Sequence, residues 1–113
     1  GTWVAVLPEG EIEVDQTKEV SFTMTVKDGY QTVNHTYTVY LRRYADKIVA
    51  FDPTCTHLGC RVKYQADKSR YFCPCHGGVF DQDGKVVSGP PPRPLNHYAT
   101  KIENGQVFVY REV

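Results

Sequence analysis

Apolar and polar residues alternate along much of the chain, which is the pattern of strands with one buried face. In residues 20–26 every second residue is apolar, and the residues between them are Ser or Thr. Asp28-Gly29, a hairpin dipeptide, follows, and the apolar positions of residues 33–41 then fall on one face. Residues 3–7, 11–14 and 48–51 give shorter strand signals. The first half of the chain is therefore predicted to be β-structure.

The second half repeats this pattern around two further turns. Residues 62–65 and 70–72 flank a polar turn, and residues 100–103 and 106–110 meet across Asn104-Gly105. No helical period exceeds two turns. We predict one all-β domain, an antiparallel sandwich or barrel. Residues 1–51 and 96–113 should form its base sheets, and residues 52–95 a smaller inserted subdomain.

Composition excludes some classes of function. Lys plus Arg equals Asp plus Glu, at 13 each in 113 residues, so no net field favours nucleic acid. No apolar run approaches the roughly 20 residues that span a bilayer, and no signal-peptide pattern is present. The chain starts at Gly1 without Met, and we expect a soluble fragment of a processed or truncated protein.

All four cysteines and two of the four histidines lie between residues 55 and 80. Residues 55–60 read C-T-H-L-G-C and residues 73–78 read C-P-C-H-G-G, so each segment offers thiols and an imidazole. Such donors from two loops indicate a metal site. A Cys2His2 zinc site and an all-disulfide framework are the alternatives. Zinc fingers usually pair Cys with Cys and His with His, whereas each segment here mixes the two.

These two segments, together with S-G-P-P-P at residues 88–92, closely resemble the Rieske [2Fe–2S] family. The likeness is to the branch in cytochrome bc- and bf-type complexes, and it extends weakly over the last two thirds of the chain. The resemblance implies that Cys55 and Cys73 bind one iron and that His57 and His76 bind the other. It also implies a disulfide between Cys60 and Cys75, and with it an oxidising compartment.

The resemblance further implies the electron-transfer subunit of a membrane quinol:cytochrome c, or plastocyanin, oxidoreductase. His76, and with it His57, would face quinol and take up a proton as the cluster takes an electron. The implied partners are a cytochrome b subunit, quinol and a c-type cytochrome, on the extracytoplasmic face of an energy-transducing membrane. An anchor absent from this chain would hold the protein there, and the domain alone would be an electron carrier. The cluster would be covered, and the docking tip formed, by Leu58, Gly89, Pro90, Pro91 and Pro92.

Two positions depart from the high-potential members, which have Ser and Tyr where this chain has Gly78 and Phe80. Hydrogen bonds to cluster or ligand sulfur favour the reduced form, so losing both hydroxyls should lower the potential. We therefore expect a menaquinol-type donor.

Other functions remain open at this point. The alternatives are the small Rieske subunit of an arsenite-oxidase-like molybdenum enzyme, a stand-alone Rieske ferredoxin and a zinc-stabilised interaction module. His35 and His97 lack ligand spacing and are expected to be ordinary surface or sheet residues.

Overall fold

The computed structural model describes residues 1–112, and within them the chain forms strands and two short 3-10 helices, Glu9–Glu11 and Ala66–Lys68. The predicted all-β class is confirmed. The strands are β1 Thr2–Pro8, β2 Thr17–Asp28, β3 Gln31–Arg43, β4 Ile48–Phe51, β5 Lys63–Gln65, β6 Arg70–Cys73, β7 Gly78–Asp81, β8 Val86–Ser88, β9 His97–Tyr98, β10 Thr100–Glu103 and β11 Gln106–Arg111.

The strands form three sheets, and the paired strands with a recorded register are antiparallel. Their orders are β1-β11-β10, β2-β3-β4-β9 and β5-β6-β7-β8. The chain divides into two compact units: one holds Gly1–Ala50 and the residues from Tyr98 onward, and the other is Phe51–His97.

In the first unit, β2 and β3 form the long hairpin that the alternation predicted. Gly29 at its turn has a left-handed backbone with φ 61°, which glycine adopts without steric cost. Val20, Phe22 and Met24 are buried, whereas Ser21 of the opposite face hydrogen-bonds across the pair to Thr38. The buried face joins an apolar core with residues of other strands, among them Leu7, Val39, Leu41, Ile48, Ala50, Val107 and Val109.

The strand predicted at residues 11–14 is wrong. Ile12 is buried, but the segment follows a 3-10 turn and pairs with no strand. The Arg43 guanidinium donates through Nη1 to the carbonyls of Glu9 (2.7 Å) and Ile12 (3.0 Å). Because a side chain more than thirty residues away satisfies these carbonyls, no strand partner is needed.

The second unit is built on the sheet β5-β6-β7-β8. Its interior contains three side chains with no exposed surface, Val62, Tyr71 and Phe80. The Tyr71 ring packs edge-on against Tyr64 and Phe51, with centroid distances of 4.8 and 6.0 Å. This aromatic packing holds β6, and Tyr71 also pairs with Phe80 of β7 in the sheet. β6 ends at Cys73 and β7 begins at Gly78, so these strands hold the two ends of the second cysteine segment.

Candidate metal centre

Two loops of the second unit carry the predicted donors. The first loop, residues 52–62, follows β4 and is closed by an isolated bridge between Thr54 and Arg61. The second loop, residues 74–77, joins β6 to β7, whose end residues Cys73 and Gly78 pair directly. Each loop thus starts and ends at paired backbone, so its geometry is well defined.

The two loops share one local design. In the first, the N–H of Gly59 donates to the carbonyl of Cys55 at 3.1 Å; in the second, Gly77 donates to Cys73 at 3.0 Å. Both glycines have left-handed backbones, with φ 76° and 73°. The chain turns back sharply four residues after each cysteine, because glycine tolerates this conformation.

The two free thiols are buried and adjacent to each other. Cys55 and Cys73 are 3% and 2% exposed. Burial, the largest influence, raises the pKa of the Cys55 thiol; the backbone N–H of His57 opposes this and the neighbouring Cys73 thiol raises the pKa further. The N–H of Leu58 also donates toward Cys55. Such N–H groups suit a metal-bound thiolate, because they stabilise negative charge on sulfur.

The two histidines lie together and are more exposed than the two free thiols. Their rings are 5.0 Å apart between centroids and nearly perpendicular. His57 is half-buried and His76 is exposed. Nδ1 of His57 is buried and has no hydrogen-bond partner among residues 1–112. A buried nitrogen without a partner is costly, and a metal ion bound at Nδ1 would remove that cost.

The other two cysteines form the disulfide that the resemblance implied. Cys60 and Cys75 are bonded, with their Cα atoms 6.5 Å apart, and they link the first loop to the second. The sulfurs of Cys60, Cys73 and Cys75 lie within 4.8 Å of one another, but two of them are committed to the disulfide and are not free to bind metal. The free donors are therefore two thiols and two imidazoles.

This donor set fits a [2Fe–2S] centre of mixed ligation. A buried thiol pair and a more exposed imidazole pair are two chemically different ends, as iron atoms with S₂ and N₂ ligation require. His35 and His97 are not part of it: their rings contact Tyr37 and Phe51 respectively.

A third segment, the proline loop (residues 88–94), contacts both other loops. The Thr56 hydroxyl, 9% exposed, donates to the carbonyl of Arg93 at 2.7 Å. Pro91 is the one buried residue of this loop and lies against Gly78. The sequence singled out the proline loop as a cover but gave no signal for Thr56, since a threonine beside a ligand looks like any surface hydroxyl.

The remaining predicted residues divide by exposure. Leu58 is 66% exposed beside His57, and Gly89, Pro90 and Pro92 are also exposed. Phe80 is fully buried in β7. Of the exposed set, Leu58 follows His57 in the chain and Gly89 lies against Gly77, the residue after His76, whereas Phe80 belongs to the interior of the unit.

The profile of the Rieske [2Fe-2S] domain family matches residues 2–99 of the chain. The chain belongs to this family. The Rieske centre therefore replaces the zinc and disulfide-framework alternatives, and the cofactor that the donors fit is one [2Fe–2S] cluster.

Curated relatives of this Rieske domain are iron-sulfur subunits of a menaquinol:cytochrome c reductase and of a cytochrome b6-f complex. It is 34% identical over 106 residues to the menaquinol:cytochrome c reductase iron-sulfur subunit of Bacillus subtilis, covering 87% of this chain and 64% of that protein. It is 42% identical over 71 residues to the cytochrome b6-f complex iron-sulfur subunit of Chlorobaculum tepidum, covering 63% of this chain and 39% of that protein. The chain spans less than two thirds of either relative.

Solved structures show the same fold. The plasma membrane Rieske protein of Synechocystis PCC 6803 has a TM-score of 0.65 at 27% identity, covering 96% of this chain and 99% of that chain. A hyperthermophilic respiratory Complex III chain has a TM-score of 0.61 at 27% identity, covering 91% and 72%. Naphthalene 1,2-dioxygenase, at 18% identity and a TM-score of 0.69 over 96% of this chain and 25% of that chain, shares the fold alone. Among the described residues, no helix has the length and apolar character to cross a bilayer.

Proposed function

We propose that this Rieske domain is the electron-transfer part of a membrane quinol:cytochrome c oxidoreductase that uses a menaquinol-type donor. The carrying observation is the pairing of two buried thiols with two outward histidines in loops joined by a disulfide. The names of two relatives support it: the Bacillus protein is the iron-sulfur subunit of a menaquinol:cytochrome c reductase, and the Chlorobaculum protein is that of a cytochrome b6-f complex. The oxygenase ferredoxins among the solved structures, at 20% and 23% identity, support only the fold.

In this proposal Cys55 and Cys73 hold the inner iron, and His57 and His76 hold the outer one. The bound cluster supplies one-electron chemistry, and replacing two anionic thiolates by imidazoles raises its potential above that of an all-cysteine centre. Within residues 52–95, the proposed cluster-binding subdomain, the aromatic sheet interior fixes the thiols, and the disulfide and the Thr56 bond hold the loops around them.

The histidines would move the proton. With Nδ1 on the metal, as the partnerless Nδ1 of His57 suggests, Nε2 of each ring is left for other contacts. His76 is exposed, so its Nε2, once it has lost its own proton in the oxidised form, would accept the hydrogen bond and then the proton of a quinol hydroxyl. His57, half-buried beside it, would orient the outer iron and share this role.

The apolar surface near the histidines would serve for docking. Leu58 and the exposed residues Gly89, Pro90 and Pro92 offer a rigid, largely apolar tip with few backbone donors. We propose that this tip meets a cytochrome b subunit when quinol is oxidised and a c-type cytochrome when the electron is passed on. We further propose that the domain lies on the extracytoplasmic face of an energy-transducing membrane, held by an anchor outside this chain.

Voltammetry and stopped-flow mixing test the proposal. The cluster-loaded domain should show a one-electron midpoint within roughly −150 to +300 mV and below the top of that range. A soluble naphthoquinol should reduce the oxidised domain, and the reduced domain should in turn reduce a c-type cytochrome. A midpoint near −400 mV, as in plant-type ferredoxins, would contradict it, because naphthoquinol could not then be the donor.

A further inference from the structure

Gly78 has no conformational reason to be glycine. It begins strand β7, it is buried, and its backbone is outside the left-handed region that glycines 59, 77, 84 and 89 occupy. Any residue could adopt this backbone. Glycine in a strand is normally unfavourable, and where it persists it often marks a place that another group approaches closely.

At Gly78 that group is Pro91. A Cβ atom added to Gly78 would lie 2.7 Å from Cγ and 3.0 Å from Cδ of Pro91, and 3.6 Å from Cβ of Cys73. The first two distances are too short for carbon atoms. Pro91 cannot rotate aside as a flexible side chain would, because its ring is closed onto the backbone.

The backbone of the proline loop cannot easily withdraw either. At Gly89 an added Cβ would lie 2.8 Å from Cα of Gly78 and 3.1 Å from the carbonyl oxygen of Gly77. The backbone of the proline loop is therefore in close contact with the backbone of residues 77–78. At the other end of the loop, Thr56 holds the Arg93 carbonyl. Pro91 is therefore fixed between two anchored points, in the space that a side chain at position 78 would enter.

We propose that Gly78 and Pro91 are a matched pair: the Pro91 ring takes the place of a side chain at position 78 and closes the Cys73 side of the cluster. Pro91 is thus a positioning residue: its ring occupies the space that a hydrogen-bonding side chain at position 78 would need, so the cluster lacks that donor and its potential is lower. The inference rests on the cluster and not on the identity of the quinol. The missing hydroxyl at position 78 therefore has a steric reason: Gly78→Ser alone has no room for its side chain, and its hydroxyl acts only when Pro91 is replaced by a smaller residue.

A double-mutant cycle on the cluster-loaded protein tests this pair. Wild type, Gly78→Ser, Pro91→Ala and the double variant Gly78→Ser/Pro91→Ala are compared by iron content, Tm and midpoint potential. Gly78→Ser alone should lose cluster or lower Tm by about 5 °C or more, since overpacked sites relax poorly. In the Pro91→Ala background the same serine should leave Tm and iron content nearly unchanged.

Two controls separate the hydroxyl from the methylene and position 91 from its neighbours. Gly78→Ala/Pro91→Ala carries Cβ without the hydroxyl, so the serine double variant should have the higher midpoint. Pro92→Ala alters an exposed proline of the same loop and should not rescue Gly78→Ser.

Three results would overturn the inference. One is a stable, fully loaded Gly78→Ser single variant whose midpoint rises as far as in the double variant. Another is an equal loss of Tm from serine in both backgrounds. The third is a serine double variant with the same midpoint as the alanine double variant, which would remove the link to potential. Because all readouts concern the loaded domain, they are separate from any failure of the naphthoquinol experiment.

Discussion

Among the described contacts, the Thr56 hydroxyl makes the one side-chain hydrogen bond between the first loop and the proline loop. Removing this hydroxyl should therefore loosen the cover of the cluster. Thr56→Val keeps the shape of the side chain and deletes only the donor. The bond to the Arg93 carbonyl is short, at 2.7 Å, and Thr56 is 9% exposed, so little water can replace it.

The expected cost follows from that geometry. A buried hydrogen bond contributes about 0.5–1.5 kcal/mol, and the carbonyl left without its donor adds to the cost. Arg93 is exposed, so water can reach its carbonyl in part, and we expect a total of about 1–2 kcal/mol. For a domain near 100 residues this lowers Tm by roughly 5–10 °C.

The assay is thermal unfolding followed at two signals, cluster absorbance and far-ultraviolet circular dichroism. In Thr56→Val the cluster absorbance should be lost at a lower temperature than in wild type. Thr56→Ser is the matched control, because it keeps the donor and loses the methyl group. Two results would show that this hydrogen bond does not hold the proline loop: a Thr56→Ser variant as unstable as Thr56→Val, or a Thr56→Val variant as stable as wild type.

Three further predictions concern residues 60–80. Replacing Cys60 and Cys75 together by Ala removes a cross-link between residues 15 positions apart, which should lower the free energy of unfolding by about 3 kcal/mol. Guanidinium unfolding with and without reductant measures this, and reductant should not lower the stability of the double variant further. In Gly77→Ala the new Cβ would meet no other atom, but the backbone φ of 73° is left-handed, so the free energy of unfolding should fall by about 1–2 kcal/mol in the same assay. Gly10→Ala is the control, because its Cβ also has open space and its backbone is not left-handed; its loss of stability should be well under half as large. Phe80→Tyr should raise the midpoint potential in voltammetry by adding a hydroxyl at a fully buried position, and an unchanged midpoint would contradict the explanation given for the low potential.

Local chemistry made much of the fold predictable. Strand alternation located the β2–β3 hairpin, and Asp28-Gly29 and Asn104-Gly105 marked two turns that the structure contains. The donor residues were equally visible, since thiols and imidazoles in two short segments have few other uses. These signals lie within a few residues of one another, so no knowledge of the folded chain is required.

Contacts between distant residues were not predictable. Residues 11–14 alternate like a strand, yet Arg43 binds their backbone and that of Glu9. Thr56 meets Arg93 across 37 positions, and Gly78 is small because of Pro91. In each case the contact exists only in the folded structure, and the local sequence around either residue does not predict it.

Pulsed electron paramagnetic resonance of the reduced, histidine-¹⁵N-labelled protein tests the central claim most directly. If Cys55, Cys73, His57 and His76 hold one [2Fe–2S] cluster, the spectrum should contain couplings to two imidazole nitrogens, one from each ligand ring. A reduced centre without histidine couplings, or a colourless protein with zinc in place of iron, would contradict that ligand set.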